Sequence, residues 1–518
     1  MAIADPSPSF PAGSNPPGRR PRVGTFPERL RSGAARVALW LGLAAVGLVV
    51  ASALLLASAP PVSDVDIWWI AAAGRRMLQT GHVPVTNAFS FVDGDHPWVM
   101  HEWLFGLPYA SGLMRWGPRF FLGVALASSA LTVVLVLVGT IGRARNRSAG
   151  IGLALLGLLA FDGRLGDVRP LGVVVALAMG MVLLAFDGRW SFGRAAAVVG
   201  LEWFWANAHG SFPLGGALLF ASALAFPASR RARLQVVALA ALATVINPYG
   251  LGLHRLVLRY LLGRDETFRA IHTAIVEFWP LWRLPGYTRP GTLFGLGLLG
   301  LLGLLGLARP GLRARAATGL AVVALGFLQA RHLELGALTG LLLLVPVADG
   351  LLDRVRGAPN SPARWAPLLV LPGLLAATVV LARRPPLETG SWVSGELGGS
   401  ALFALVPQVS SGGRLYAPFV TSGLAIWLGD PRGVQVLYDA RNDPYRPETA
   451  WAALAFARPG VASDARAFLD RFGADHALAA DGSPLGDDLH RLQDWAPAAR
   501  AEGWTLFRRR GATGAVQH

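Results

Sequence analysis

Apolar residues run along this chain in long blocks, broken by short polar stretches that carry most of the arginines. Blocks of this kind predict helices that are apolar all round, and a hydrocarbon core of roughly 30 Å takes about 20 helical residues to cross. The most economical parse has eleven spans: 35–58, 119–141, 149–161, 170–186, 195–208, 212–227, 234–246, 290–308, 316–330, 333–352 and 365–382. Of these, 149–161 and 195–208 are short. Residues 1–34, rich in Pro, Ser, Gly and Arg, predict a disordered cytoplasmic tail. The run at 35–58 exceeds the apolar core of a signal peptide and reads as an uncleaved first span, with Ala57-Ser58-Ala59 as a weak cleavage alternative.

Arginine placement orients the parse, because positive charge collects on the cytoplasmic side. With the N-terminus inside, the short inner loops hold Arg143, Arg145 and Arg147, then Arg189 and Arg194, then Arg230, Arg231 and Arg233. Two later inner loops hold Arg309, Arg313 and Arg315, and Arg354, Arg356 and Arg364. The alternating loops hold fewer: Arg164 and Arg169 in one, Arg331 in another, none in 207–211. A transmembrane domain over 35–382 therefore presents long outer segments at about 59–118 and 247–289, followed by an extracytoplasmic tail at 383–518. That tail turns polar, with strand-like runs at Arg414–Phe419, Leu424–Leu428, Val434–Tyr438 and Trp504–Arg508. Helical patterns lie between them at about 448–457, 462–472 and 485–494, which predicts a small α/β domain.

Composition agrees with lipid as solvent. Of 518 residues 53% are hydrophobic and 15% charged, with a mean hydropathy of +0.46, against about 25% charged in a soluble domain. The net charge of +16 is carried by arginine alone and scattered between spans, not clustered beside stacking aromatics, so nucleic acid is not the predicted partner. The absence of cysteine excludes disulfides and thiolate metal sites.

The reactive side chains sort to one side of the membrane. Asp64, Asp66, His101, Glu102, Arg169, Asn207, His209, Asn247, Glu277, Arg331 and His332 all fall in outer segments or at outer span ends. A coupled transporter would place ionisable groups at midplane, and Glu202 is the exception here, about two turns below His209. The first outer segment opens Ser63-Asp-Val-Asp-Ile-Trp-Trp, with Asp66 at the start of an amphipathic helix and Trp68 and Trp69 suited to the headgroup zone. Asp66 fits a plain helix N-cap as well as it fits chemistry. Arg331 and His332 fit interfacial anchors, and Asn207 and His209 a hairpin cap, on the same footing.

Asp64-x-Asp66-x-Trp-Trp, Gly74-Arg75, Val83-Pro84, Phe89-Ser-Phe91 and Pro97-Trp-Val-x-His-Glu-Trp-Leu104 together resemble bacterial membrane proteins of the GT-C glycosyltransferase superfamily. They are similar to the protein mannosyltransferase and aminoarabinose transferase groups. Arg169-Pro170, Trp205-Ala-Asn-Ala-His-Gly210, Asn247-Pro-Tyr-Gly250, Glu277-Phe-Trp-Pro280, Arg331-His332 and Tyr438-Asp-Ala-Arg-Asn-Asp-Pro-Tyr445 extend the resemblance along the chain. It implies a polytopic α-helical membrane fold and transfer of a sugar from a polyprenyl-phosphate donor to a glycan, lipid or protein acceptor. Transfer would take place outside the bacterial inner membrane.

Asp66 looks equivalent to the general base of such enzymes, with Asp64 the alternative and Glu102 a further carboxylate. The leaving phosphate calls for cations and donors, and Arg169, Arg331, His332, His209 and Asn207 lie at the right depth. His101, Asn247, Glu277 and Glu202 complete the candidates. A hard divalent cation such as Mg or Mn would favour Asp66, Glu102 and Glu277, and no pattern requires one. The alternative function is a non-catalytic membrane protein that binds a lipid-linked glycan or scaffolds surface-polysaccharide assembly.

Overall fold

The structure, a computed structural model, describes residues 64–144, 147–159, 168–263, 266–284, 290–355, 393–441, 443–457 and 464–511. Residues 64–116 supply α1 (Asp66–Thr80) and α2 (Trp103–Trp116). A bundle follows: α3 (Phe120–Thr140), α4 (Arg147–Leu159), α5 (Pro170–Ala185), α6 (Phe192–Ala208), α7 (Pro213–Ala225) and α8 (Arg230–Ala243). Two short helices, α9 (Leu251–Leu261) and α10 (Glu266–Ala274), precede α11 (Pro290–Leu307), α12 (Arg313–Leu328) and α13 (Leu333–Val355).

The apolar segments expected from 119–141 to 333–352 each fall on one of these helices; 35–58 and 365–382 lie outside the described residues. Among the described residues three helical stretches are long and apolar enough to cross a membrane: Trp103–Thr140, Pro310–Leu328 and Ala330–Leu351. Pro170–Ala185, Pro213–Ala225 and Thr292–Leu307 are apolar and shorter.

The C-terminal part contains α14 (Gly399–Leu405), β1 (Arg414–Tyr416), α15 (Phe419–Gly429), β2 (Gln435–Val436), α16 (Pro447–Phe456) and α17 (Ala465–Phe472). It closes with β3 (His476–Ala480), α18 (Pro484–Arg491), β4 (Trp495–Ala501) and β5 (Trp504–Arg509). The sheet order is β2-β1-β3-β5-β4, with β1 parallel to β2 and β3 and with β5 antiparallel to β3 and β4. Period-two alternation gives the sheet two covered faces. Leu415, Leu478 and Leu506 point to a core shared with α1 and α2, while Tyr416, Ala477 and Phe507 point to a core under α16 and α17.

Two expectations change here. Leu424–Leu428 is not a strand but the second half of α15, which starts right after Pro418. Residues Thr421–Ile426 are buried continuously, so no polar face marks the helical period. Trp68 and Trp69 do not face headgroups: α1 is buried from Ile67 to Arg75, and Trp68 meets Phe121 edge-on at 5.8 Å. The cause is close packing on both sides. A Cβ on Gly74 would lie 1.8 Å from the Gly106 carbonyl oxygen of α2, and one on Gly423 of α15 would lie 2.1 Å from the Val65 carbonyl oxygen.

Polar contacts fix the same junction. Asp430 takes Arg75 at 3.2 Å and Arg76 at 2.5 Å, and Arg446 reaches Asp93 at 2.6 Å and Asp95 at 3.0 Å. Ser90 forms a parallel bridge to Val436 of β2. Residues 64–116 and the C-terminal part thus share one core.

Candidate active site

A cavity of about 560 Å³ lies where α1, the turn before α2, α9, α10 and the α12–α13 junction meet. Asp64, Asp66, His101, Glu102 and His209 line it. So do Arg169, Glu277, Arg331 and His332. These residues are scattered from 64 to 332 in the chain, and the fold brings them together.

The two aspartates divide the labour. Asp64 Oδ1 accepts the backbone N–H groups of Asp66 at 2.9 Å and Ile67 at 3.0 Å, so Asp64, not Asp66, satisfies the start of α1. Its Oδ2 sits 2.6 Å from Arg169 Nε. Asp66, the first residue of α1, makes no capping bond and accepts instead from the Trp69 indole at 3.0 Å. Burial pushes its carboxyl up to about 7, helped by the negative charge of Asp64 and opposed by Arg169. The anion is therefore available at neutral pH and basic enough to accept a proton.

Glu102 ends the turn before α2. His209 Nε2 lies 3.6 Å and His101 Nε2 3.9 Å from Glu102 Oε1. Burial raises the Glu102 carboxyl well above the usual range, reinforced by Asp66. Burial also holds both imidazoles down, His101 to about 4 and His209 well below its usual value, so both are neutral. The Ser211 N–H donates to His209 Nδ1 at 3.1 Å, which assigns the ring proton to Nε2, facing Glu102.

Arg169 and Arg331 join these carboxylates in the cavity. Arg169, just before Pro170 at the head of α5, joins Asp64 to Glu277, whose Oε2 it holds at 3.1 Å. Arg331 is 3.9 Å from Glu277 and lies 4.4 Å over the Phe278 ring, and its buried Nε has no hydrogen-bond partner among the described residues. His332 Nδ1 is likewise buried without a partner among them. Arg169 is thus spent on carboxylates, and Arg331 keeps donor capacity for an incoming anion.

The remaining candidates do not line the cavity. Asn207 Oδ1 accepts from the Trp103 indole at 3.2 Å, and its amide donates to the carbonyls of Trp203 and Ile246. Asn247 closes the turn before α9, accepting from Tyr249 N and donating to Thr244 and Gly250. Tyr249 in turn accepts from Met100 N at 3.0 Å and donates to Pro84 O at 2.7 Å, which braces the turn carrying His101 and Glu102. Glu202 is buried within α6 against Gly215 of α7, where a Cβ would lie 2.0 Å from its carboxylate.

Of the other lining residues, His272 and Tyr260 were not singled out from sequence, whereas Arg441 and Asp443 lie within the Tyr438–Tyr445 motif. His272 of α10 lies in an aromatic ladder, 3.9 Å from Phe268 and 3.9 Å from Phe278, and Tyr260 stacks on Phe268 at 4.2 Å. Arg441 and Asp443 reach the cavity from the C-terminal part. Arg441 is buried on Asp439 at 2.7 Å and over Trp98 at 4.5 Å, while Asp443 accepts from Val99 N at 3.0 Å. Among the described residues no three His, Asp or Glu side chains stand close enough to share a metal ion, so Asp66, Glu102 and Glu277 do not form a ligand set.

Solved structures share this architecture. The cryo-EM structure of the arabinofuranosyltransferase AftD from Mycobacteria matches 91% of this chain, with a TM-score of 0.54 and 17% identity. ArnT from Cupriavidus metallidurans, bound to undecaprenyl phosphate, matches 92% of this chain and 98% of its own, at TM-score 0.53 and 16% identity. The oligosaccharyltransferase of Archaeoglobus fulgidus, tethered to an acceptor peptide, matches 85% of this chain and 69% of its own, at TM-score 0.52 and 12% identity. This chain has the GT-C glycosyltransferase fold. It spans 40% of the length of AftD. No family model and no curated protein matches the sequence. In this GT-C fold the carboxylates at the starts of α1 and α2 and the arginines before α5 and α13 share one cavity.

Proposed function

We propose that the chain transfers a sugar from a polyprenyl-phosphate donor to a glycan, lipid or protein acceptor at the outer face of a bacterial inner membrane. The observation that carries this reading is the pairing, in one cavity, of a basic carboxylate, Asp66, with a guanidinium, Arg331, that retains a buried nitrogen unpartnered among the described residues. Likeness to ArnT, solved with undecaprenyl phosphate, supports the donor class. Likeness to the oligosaccharyltransferase, solved with an acceptor peptide, supports an acceptor reaching the same fold.

In this reading Asp66 takes the proton of the acceptor hydroxyl as that oxygen bonds to the anomeric carbon. The bond from that carbon to the phosphate oxygen breaks, and polyprenyl phosphate departs with the electron pair. Arg331 and His332 receive the phosphate charge. Arg169 holds Asp64 and Glu277 in place, so that Asp64 fixes the start of α1 and with it Asp66. Neutral His101 and His209 and the Glu102 carboxyl, raised by burial, offer hydrogen bonds to sugar hydroxyls.

The test is reconstituted full-length protein with a panel of polyprenyl-phosphate sugars. Transfer with at least one donor is expected, with Arg331→Ala weakening donor binding and turnover together. Saturable donor binding with no turnover on any donor would favour the non-catalytic reading instead.

A further inference from the structure

Helix α5 begins at Pro170, beside Arg169 in the cavity, and its 16 residues end at Ala185. At about 1.5 Å per residue its far end lies roughly 24 Å away, at the opposite end of the bundle. There the unsatisfied carbonyls of the helix terminus meet arginines from three other elements. Arg143, after α3, donates to Leu183 O; Arg233 of α8 donates to Ala185 O and, at 2.8 Å, to Asp187 O; Arg315 of α12 donates to Phe186 O at 2.8 Å. Cations at a helix C-terminus are favourable, so part of this cluster is a cap.

The cap does not account for the charge. Arg194 lies 2.9 Å, Arg189 3.6 Å and Arg143 3.9 Å from Asp187, the one carboxylate they meet among the described residues. Five guanidiniums, those of Arg143, Arg189, Arg194, Arg233 and Arg315, thus gather around the Phe186–Asp187 backbone and that acid. Each carries several N–H donors, more in total than these carbonyls and one carboxylate can take. Burial holds the Arg143 guanidinium below its usual value; Asp187 opposes this, and repulsion from Arg194 and Arg189 adds to it. Apolar walls flank the cluster: the Arg233 guanidinium lies 4.2 Å over Trp190 and 4.3 Å over Phe226, and Arg315 5.4 Å over Phe226. Arg189 is largely exposed, leaving the cluster open to an approaching anion.

We propose that this end of the bundle binds the phosphodiester headgroup of an anionic membrane lipid. The ligand class follows from three features together: excess planar guanidinium donors suited to phosphate oxygens, an indole and a phenyl ring beside them for the acyl–headgroup boundary, and a separation from the cavity close to the thickness of a bilayer core. The site is independent of sugar transfer and stands if the reading of the cavity fails.

The experiment measures the thermal unfolding midpoint of the purified full chain in neutral detergent. Dioleoylphosphatidylglycerol, dioleoylphosphatidylcholine and inorganic phosphate are added in turn at matched ionic strength. Phosphatidylglycerol is expected to raise the midpoint of the wild type by several degrees, and phosphatidylcholine is not. R143Q/R189Q/R194Q should lose most of that rise. If the triple variant does not fold, R189Q alone, at an exposed position, should bind fewer phosphatidylglycerol molecules than the wild type by native mass spectrometry. An equal rise with phosphatidylcholine, an undiminished rise in the triple variant, unchanged lipid retention in R189Q, or full reproduction of the effect by inorganic phosphate would each overturn the proposal.

Discussion

Asp64 accepts the backbone N–H of Asp66 at 2.9 Å with one carboxylate oxygen and holds Arg169 at 2.6 Å with the other. The cap of α1 and Arg169 in the cavity are therefore a single unit, and the two functions can be separated by substitution. Asn caps about as well as Asp, so Asp64→Asn should leave stability within about 0.5 kcal/mol while loosening Arg169, whereas Asp64→Ala should cost about 1 kcal/mol through the lost cap. Both should lower transfer. Equal stability of the two variants by thermal unfolding would contradict the capping role.

The elevated Asp66 carboxyl sets a pH dependence. A general base works as the anion, which predominates above its pKa, so kcat/KM should fall about tenfold per unit below pH 7 and level off above it. A transfer rate that stays flat from pH 8 down to pH 5 would assign the base to another group.

Packing at the α1–α2 crossing gives a second kind of prediction. Gly74→Ala places a methyl 1.8 Å from the Gly106 carbonyl oxygen, a backbone atom that cannot swing aside. The helices must separate, at a cost of about 1–3 kcal/mol or more, and Asp66 moves relative to Glu102. A lower unfolding midpoint and reduced transfer are expected together. An unchanged midpoint would mean that the helices do not cross this closely.

The buried Asp439–Arg441 pair ties the C-terminal part to the cavity, since Arg441 also donates to Asn87 at 2.6 Å. Removing its anion leaves a buried cation short of partners, so Asp439→Ala should destabilise by about 3–5 kcal/mol. Thermal unfolding of the full chain checks this; a loss under about 1 kcal/mol would imply that the pair is hydrated.

Much of the bundle was legible because apolar blocks such as 119–141 and 333–352 need no partner to identify them. The sheet was less so. β3, His476-Ala-Leu-Ala-Ala480, is covered on both faces and shows no alternation, and β4 runs Trp-Ala-Pro-Ala-Ala-Arg-Ala, small residues with weak strand preference. Candidate site residues at span ends, among them Asp66, Glu102, Arg169 and Arg331, were visible as polar groups beside apolar blocks. The same signal drew in Asn207, Asn247 and Glu202, whose polar atoms serve packing and turns. Arg441 and Asp443 reach the cavity only through contacts with residues more than three hundred positions earlier, which no local pattern encodes. The choice between Asp64 and Asp66 as helix cap depends on backbone geometry at Val65 and likewise has no sequence signature.

The most direct measurement is single-turnover transfer by Asp66→Asn, with donor binding measured in parallel. The amide keeps the shape and can still accept the Trp69 indole proton, but it cannot take up the acceptor proton. Because Asp64 supplies the cap, folding should be unaffected. The rate should fall about a hundredfold to ten-thousandfold with donor affinity nearly unchanged. Full transfer activity in Asp66→Asn would rule out Asp66 as the base.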